Sequence, residues 1–148
     1  MSCAGELVRI DDTSLWVVQR GPDGAHPIIV LHGGPGLDHH MFGDYLDPLA
    51  GDLRLLLVDQ RSQGRSERSP ESTWTLERMA QDVIMLARAL RLERYTVLGH
   101  SYGAFVALQN AVDYPGMSSR TIVSSGLASA RLDAVERNLA VFEPEELR

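Results

Sequence analysis

The sequence predicts an α/β protein built on a mostly parallel sheet. Short apolar runs rich in β-branched residues alternate along the chain with segments of helical periodicity. Glycine-containing turns follow the main apolar runs, and the order of strands and helices is the one that parallel strands with helical connections produce. With 148 residues, 44% of them apolar, the composition fits one globular domain that is not disordered.

The first element is predicted to be an antiparallel hairpin. Leu7–Ile10 and Leu15–Gln19 flank a polar cluster of turn-forming residues. After a break at Gly21–Gly24, Pro27–Leu31 is wholly apolar, as expected of a strand buried on both faces of a parallel sheet. Leu53–Val58 has a similar character and predicts the next buried strand.

Two segments around and after these strands are interpreted as helices. Leu37–Ala50, between the two buried strands, can form a helix whose length Gly43 and Pro48 limit. The next helix has the clearest pattern in the chain, with Thr75 as its N-cap. Its apolar residues recur at spacings of three and four and predict one stripe that faces the sheet: Leu76, Met79, Ala80, Val83, Leu86, Ala87 and Leu90.

The alternation of strand and helix then continues. Tyr95–Leu98 predicts a third buried strand, and Tyr102–Tyr114 predicts a helix that Pro115 ends. Thr121–Val123 predicts a fourth short strand, and Leu132–Phe142 is interpreted as helical. No internal repeat or obvious linker divides the chain.

A serine motif lies at the junction between the third buried strand and the following helix. Gly99-His100-Ser101-Tyr102-Gly103 matches G-x-S-x-G, the pattern of a nucleophile elbow. A turn from strand directly into helix forces its central residue into a sparsely allowed conformation costing about 1–3 kcal/mol, and glycines relieve the crowding around it. The nearby helix N-terminus favours an oxyanion. Ser101 is therefore predicted to be a nucleophile, and the alternative is a chance match in an ordinary turn.

A glycine-rich loop follows the first buried strand, where the fold class places one donor of an oxyanion hole. In His32-Gly33-Gly34-Pro35-Gly36 the glycines allow unusual φ values and let a bare backbone N–H approach a substrate carbonyl. The expected donors are the amides of Gly34 and Tyr102. Taken alone the loop is equally an ordinary connection, but the serine motif favours the oxyanion interpretation.

Three motifs in this order resemble the proline iminopeptidase group of α/β-hydrolases. They are loop 32–36, the segment Asp59-Gln60-Arg61-Ser62-Gln63-Gly64-Arg65-Ser66 and motif 99–103, and their spacing matches across nearly the whole chain. The resemblance implies acyl transfer to Ser101 and release of an N-terminal residue, often proline, from a short peptide, with no cofactor. The remaining motif residues are expected to support the site: His32, Gly33, Pro35, Gly36, Gly99, His100 and Gly103.

The chain departs from the family pattern in two respects. Ser62 occupies a position where the family usually has glycine, which affects only the shape of the local loop. The family triad runs serine, acid, histidine, and no histidine follows His100 in this sequence. The resemblance implies that the acid, the histidine and the acidic residues of a cap lie beyond Arg148. Residues 1–148 are therefore expected to be the N-terminal portion of an α/β-hydrolase core, incomplete at its C-terminal side, with a cap beginning within about 127–148.

The other histidines and acids are predicted to have structural or solvated roles. His26 precedes a strand on the side away from the serine, and His39 and His40 are expected on a solvated face. This pair makes a weak zinc site, since neighbouring helical residues diverge and no third ligand is suitably spaced, so no metal is expected. Asp59 and Arg61 are expected to pair within their loop and shape the floor of the site.

Charge and cysteine content bear on partners and location. The net charge of −6 comes from interspersed acids and bases, so no basic stripe could follow a phosphate backbone and no nucleic-acid partner is expected. The N-terminal residues lack an apolar signal-peptide core, and the apolar runs are too short to span a bilayer, so no membrane association is expected. With Cys3 as the only cysteine, a cytoplasmic location is predicted.

Two functions of different class follow from these observations. The first is a serine hydrolase resembling proline iminopeptidases, acting on a small peptide, amide or ester, with acid and base supplied outside this chain. Esterase, lactonase and amino-acid amidase activities use the same machinery. The second is a catalytically silent chain, because a nucleophile without its base is nearly inactive. A sheet ending at Thr121–Val123 would leave an open edge for a C-terminal companion chain or a second copy.

Overall fold

The computed structural model describes residues 5–127 of the chain. This part contains six strands and two α-helices. In chain order they are β1 (Gly5–Arg9), β2 (Ser14–Arg20), β3 (His26–Leu31), β4 (Leu53–Val58), α1 (Leu76–Ala89), β5 (Thr96–His100), α2 (Tyr102–Asp113) and β6 (Arg120–Ser124). Three short 3₁₀ turns lie between them, at His39–Phe42, Asp47–Gly51 and Glu71–Thr73.

The strands form one sheet in the order β1-β2-β4-β3-β5-β6. β2 pairs antiparallel with β1 and β4, whereas the pairs β4–β3, β3–β5 and β5–β6 are parallel. The prediction of a mostly parallel sheet behind an opening antiparallel hairpin is confirmed. Because parallel strands share one direction, the loops that follow β3, β4 and β5 leave from the same edge of the sheet. That edge carries all three sequence motifs.

The central strands are buried on both faces because their sequences are continuously apolar. In β3, Ile29 and Leu31 pack into the core that α1 and α2 cover, together with residues such as Val83. Val30, between them, enters a second core with Leu57. Alternate residues of one strand thus fill two cores on opposite sides of the sheet, as the two-residue period of a strand requires.

Helix α1 begins and packs as its sequence predicts. The Thr75 side chain accepts a hydrogen bond from the amide of Arg78, as an N-cap residue does. The apolar stripe of the helix is buried in the core beside α2 and the sheet. The Asn110 side chain of α2 donates to the carbonyl of Ala80 at 2.9 Å, which joins the two helices at a buried point.

The prediction of a helix over Leu37–Ala50 is wrong. This segment forms two 3₁₀ turns separated by residues 43–46 instead. Gly43 has φ 48°, a left-handed conformation that ends the first turn, and Pro48 lacks the amide N–H that a continuous helix would use. Phe42, from the first turn, is buried in the second core. The two helix breakers therefore decide the structure of this connection.

Within residues 5–127, strand β6 is the outer strand of the sheet next to the serine motif. It is the least buried of the parallel strands, and its Ile122 and Val123 are 42% and 41% exposed. The predicted helix Leu132–Phe142 and the predicted cap lie outside the described residues, apart from residue 127. Within 5–127, no helix has both the length and the apolar character that crossing a membrane requires.

Candidate active site

Ser101 occupies the turn at which β5 passes directly into α2. Its backbone has φ 53° and ψ −114°, a region that costs a non-glycine residue about 1–3 kcal/mol. The Ser101 amide donates to the carbonyl of Ser124 at 2.9 Å, and the Ser101 carbonyl accepts from the amide of Ala104 at 3.0 Å. The serine is thus held on a sharp turn at the N-terminus of a twelve-residue helix.

The two glycines of the serine motif permit a close approach of backbone segments. A Cβ at Gly99 would lie 2.1 Å from the carbonyl oxygen of Gly103, and a Cβ at Gly103 would lie 2.3 Å from that of Leu31. Both distances are far below van der Waals contact, so neither position accepts a side chain unless the backbone moves. Strands β3 and β5 and helix α2 therefore meet beside the serine at a distance that only glycine allows.

The glycine-rich loop after β3 lies against Ser101. A Cβ built on Gly33 would be 3.1 Å from the Cβ of Ser101. Gly34 has φ 124° and Gly36 has φ 93°, conformations that favour glycine, and the Gly34–Pro35 peptide bond is cis. The loop and the serine motif, which are far apart in sequence, are thus neighbours as the sequence predicts.

The amides of Gly34 and Tyr102 belong to the glycine-rich loop and to the first residue of α2. Among residues 5–127, no acceptor pairs with either of them. The neighbouring amides are already used: the Gly33 N–H donates to a methionine sulfur at 2.9 Å, and the Gly36 N–H donates to Oε1 of Gln63 at 2.7 Å. The geometry therefore leaves unpaired the two donors that were predicted for an oxyanion hole.

His32 is a buried structural residue. Its Nε2 accepts from the amide of Gln60 at 3.1 Å, so that nitrogen carries no proton, and its Nδ1 donates to the carbonyl of Gly33 at 2.6 Å. The Gln60 side chain donates in turn to the His32 carbonyl at 2.8 Å. Burial lowers the pKa of His32 and keeps the ring neutral. His32 therefore joins the glycine-rich loop to the turn after β4.

His100 links the serine turn to the outer strand. Its Nδ1 lies 3.0 Å from the hydroxyl of Ser124, and its ring meets Phe42 edge-on, with the ring centroids 6.3 Å apart. Ser124 also accepts the Ser101 amide, so the last residue of β6 receives both contacts.

None of the chain's histidines is placed as a base for Ser101. All five lie within residues 5–127, and each directs a ring nitrogen to another partner: His26 to Thr96, His32 to Gln60, His39 to Asp59, His40 to Asp38 and His100 to Ser124. In this part of the chain no side chain makes a hydrogen bond with the Ser101 hydroxyl.

Asp59 pairs with His39 and not with Arg61, so the predicted pairing is wrong. Its Oδ1 accepts from Nδ1 of His39 at 2.6 Å and from the His39 amide at 2.9 Å, while its Oδ2 accepts from the amide of Arg65. His39 is consequently buried, against the expectation of a solvated face, whereas His40 is exposed as expected. The carboxylate holds the 3₁₀ turn of His39 against the end of β4.

Arg61 forms the centre of a buried ion-pair cluster. Its guanidinium binds Asp82 of α1 through hydrogen bonds of 2.8 and 2.7 Å, and it binds Asp12 at 2.7 Å. The Arg61 side chain is fully buried, as is nearly all of Asp82. Hydrogen bonding to Arg61, opposed by partial desolvation and aided by Arg78, lowers the pKa of Asp12 to about 2. The cluster joins the β1–β2 turn, the loop after β4 and α1.

Asp38, His39 and His40 place one donor atom each within 4.8 Å of one another. The two imidazole rings lie 4.1 Å apart, so they do not diverge as expected of neighbours on a helix. Each ring already directs its Nδ1 to a carboxylate, that of Asp59 for His39 and that of Asp38 for His40. The cluster is therefore explained by the hydrogen bonds of a 3₁₀ turn.

A pocket of about 460 Å³ adjoins the serine turn and the glycine-rich loop. Tyr102, whose amide is one of the two unpaired donors, forms part of its wall. The glycine-rich loop, the loop between β4 and α1, and α1 itself supply the rest of the lining, which comprises Pro35, Gly36, Arg61, Ser62, Gln63, Trp74 and Met79. Sequence patterns did not indicate this pocket, because the loop carrying Trp74 lies 27 residues before Ser101.

The sheet order, the strained serine and the adjoining glycine-rich loop define the core of an α/β-hydrolase. The family described as alpha/beta hydrolase fold matches residues 26–142, and the chain belongs to this family. The resemblance to proline iminopeptidases is confirmed as well, since the chain is 37% identical over 111 residues to the proline iminopeptidase of Heyndrickxia coagulans. That alignment covers 74% of this chain and 38% of the relative.

Two further relatives extend the comparison. The crystal structure of a proline iminopeptidase from Mycobacterium smegmatis matches with a TM-score of 0.81 at 29% identity, over 95% of this chain and 50% of the other. The magnesium-chelatase 30 kDa subunit of Rhodobacter capsulatus is 30% identical over 140 residues, which cover 90% of this chain and 49% of that protein. The chain thus spans half or less of the length of each of these proteins.

Proposed function

We propose that this chain carries the nucleophile and the oxyanion hole of a serine hydrolase resembling proline iminopeptidases. The observation that carries the proposal is the backbone of Ser101, a non-glycine residue at φ 53° on a strand-to-helix turn beside a glycine-rich loop. Glycine would adopt this conformation without strain, so packing alone gives no reason for a serine. Strain of this kind clusters at reactive residues.

In the proposed reaction, the Ser101 hydroxyl attacks the substrate carbonyl carbon while its proton passes to a base outside this chain. The carbonyl oxygen becomes an oxyanion, which the amides of Gly34 and Tyr102 stabilise by hydrogen bonds. Collapse of this tetrahedral intermediate expels the leaving amine with the proton and leaves the acyl group esterified to Ser101. Water then hydrolyses the ester and restores the hydroxyl.

The similarity to proline iminopeptidases supports an N-terminal residue, often proline, as the acyl group, released from small peptides or amides. Esterase, lactonase and amino-acid amidase activities are the alternatives within the same chemistry. They require the same serine and donors and differ in the pocket that holds the substrate. The proposed chemistry uses no cofactor.

A catalytically silent chain is the second candidate function. Two observations favour it: no histidine of the chain pairs with Ser101, and a relative of 30% identity is named as a subunit of magnesium chelatase. Removing the base from a serine triad costs on the order of 10⁶-fold in turnover. We therefore propose that the isolated chain is nearly inactive and that another polypeptide segment supplies the acid and the base.

The proposed partners are a small peptide, amide or ester substrate and a polypeptide that pairs with β6. The outer edge of β6 and its exposed Ile122 and Val123 suit either a C-terminal companion chain or a second copy of this chain. The cytoplasmic location and the absence of a nucleic-acid partner stay predictions from the single cysteine and the net charge of −6.

The test is intact-mass analysis under denaturing conditions, before and after incubation with a fluorophosphonate that reacts with an activated serine. Where the segment that supplies the base is present, we expect one adduct on the wild-type chain, lost in Ser101→Ala and retained in Ser125→Ala. Ser125 is a matched control because its φ is also 53°. The same spectrum counts the polypeptides in the purified material.

An adduct that survives Ser101→Ala would contradict the assignment of the nucleophile. A single chain that stays unlabelled would favour the silent candidate. A second polypeptide together with an adduct on Ser101 would support a two-chain hydrolase, for which prolyl amides are the first substrates to test.

A further inference from the structure

We propose that Ser62 is a positioning residue that fixes Trp74 as the wall of a substrate pocket beside Ser101, and that this pocket takes a flat, uncharged ring. The inference rests on the proposed function, because the ring would belong to the acyl or leaving group of a substrate bound at Ser101. Ser62 is also the residue that stands where the resembled family usually has glycine.

The backbone of Ser62 explains why glycine is the expected residue there. Its φ is 61°, in the left-handed region that favours glycine and strains other residues. Backbone conformation alone therefore disfavours serine at this position. The side chain must supply the compensation, and the contacts of its hydroxyl show how it does so.

The Ser62 hydroxyl holds together the loop between β4 and α1. Its oxygen accepts from the indole Nε1 of Trp74 at 2.9 Å and from the amide of Ser69 at 2.9 Å, and it lies 3.0 Å from the Ser69 hydroxyl. The Trp74 indole also donates to the Ser69 carbonyl at 3.1 Å. Neither glycine nor alanine could provide the oxygen that receives the indole.

Trp74 needs this anchor because it is 47% exposed. It lines the pocket of about 460 Å³ that reaches Tyr102, whose amide is a proposed oxyanion donor. On the facing wall, the Tyr102 hydroxyl donates to the Met79 sulfur at 3.4 Å, which fixes that side of the pocket. Without the bond to Ser62, only the longer bond to the Ser69 carbonyl would hold the indole, and this wall of the pocket would be less firmly fixed.

The lining indicates what the pocket binds. An indole, a thioether and the ring of Pro35 present apolar surfaces that suit a flat ring. Arg61 also lines the pocket, but its guanidinium is paired with Asp82 and Asp12 and offers no free charge. An uncharged aromatic ring therefore fits better than a carboxylate.

The test uses benzamide as the probe and Ser101→Ala as the background, with ¹H–¹⁵N spectra of the tryptophan indoles. The chain has two tryptophans, so Trp16 serves as an internal control and Trp74→Phe assigns the signals. We expect benzamide to shift the Trp74 indole signal, whereas acetamide, which lacks the ring, leaves it in place. Ser62→Gly should weaken benzamide binding about fivefold, the size of one modest hydrogen bond, and accelerate hydrogen exchange of the Trp74 indole.

Stability measurements separate positioning from a merely structural role. Ser62→Gly relieves the positive φ, so its melting temperature should be unchanged or higher although benzamide binding is weaker. Ser62→Ala keeps the strain and loses the hydroxyl, so both affinity and melting temperature should fall. Arg91→Gly is the matched control, because it relieves a similar φ of 54° at an exposed position and should leave benzamide binding unchanged.

Wild-type benzamide affinity in Ser62→Gly, or no shift of Trp74 with benzamide, would overturn the proposal. Binding is measured without the Ser101 hydroxyl, so the result does not depend on that residue acting as a nucleophile. The two proposals can therefore fail separately. A Ser62-dependent shift without a fluorophosphonate adduct would support the pocket assignment and contradict only the proposed hydrolysis.

Discussion

At Gly103, a Cβ atom would lie 2.3 Å from the carbonyl oxygen of Leu31 and 2.6 Å from that of His32. Both oxygens belong to the end of β3 and the start of the glycine-rich loop. The contact could be relieved only by moving α2 away from β3. The geometry that brings the loop to Ser101 therefore leaves no room for even the smallest side chain at this position.

Gly103→Ala is expected to lower the free energy of unfolding by about 3 kcal/mol or more, because it overpacks backbone against backbone. Gly24→Ala is the matched control, since a Cβ there would meet nothing within 4 Å, and its effect should stay within about 0.5 kcal/mol. Urea unfolding followed by tryptophan fluorescence measures both variants. Equal stability of the two would contradict the close packing of α2 on β3.

Individual residues differ in how far the sequence predicts their surroundings. Ser101 lies on the predicted turn because the glycines of its motif restrict the local backbone. His39 pairs with Asp59 over 20 positions, and Ser62 binds Trp74 over 12. Such contacts depend on how whole loops are placed, so no local pattern indicates them.

At the scale of elements, the Arg61 cluster joins three segments that the sequence separates. Asp82 belongs to α1, Asp12 to the β1–β2 turn, and Arg61 to the loop after β4. The buried guanidinium depends on Asp82, because Asp82 supplies two of its hydrogen bonds and is itself buried. Removing one member of such a pair leaves an uncompensated buried charge.

Asp82→Ala is expected to destabilise the fold by about 3–5 kcal/mol, because Arg61 stays buried without its partner. The double variant Arg61→Met with Asp82→Leu should recover much of this loss, since it removes both charges. Glu77→Ala, on the exposed face of the same helix, is the control and should cost less than about 1 kcal/mol. Urea unfolding measures the free energy of unfolding of the three variants. If Asp82→Ala lowers it by as little as the control does, the role of the cluster is contradicted.

Elements with continuous apolar sequences were the most predictable part of the fold. The predicted buried strands overlap β3, β4 and β5, and the helical stripe with its Thr75 cap corresponds to α1. The error fell on Leu37–Ala50, where apolar residues favoured a helix but Gly43 and Pro48 imposed two short turns. Strand prediction succeeds because burial on both faces leaves a clear pattern, whereas a turn depends on single residues.

At the scale of the whole molecule, the two outer strands of the described sheet lie at different distances from the site. Strand β1 lies at the far edge, and β6 lies beside the serine turn. The sequence predicts an exposed edge at β6, but the pattern of an edge strand is the same whichever partner pairs with it. The identity of that partner is therefore a matter for measurement.

If a second copy pairs at β6, Ile122→Lys should shift the protein toward smaller species, because a charge at an exposed edge disfavours strand pairing. Leu7→Lys is the matched control, since Leu7 is 50% exposed on the opposite edge strand and should leave association unchanged. Sedimentation velocity over a range of concentrations measures both. A wild-type chain that is monomeric at every concentration would contradict self-association through this edge.

The bond from the Ser101 amide to the Ser124 carbonyl ties the reactive turn to the last residue of β6. Outer strands open locally more readily than central ones, and fraying starts at their ends. Each such event at the carboxyl end of β6 would break the bond to the Ser101 amide. The reactive turn thus shares a hydrogen bond with the end of an outer strand, so that a partner which holds this strand in place would also hold the contact to Ser101.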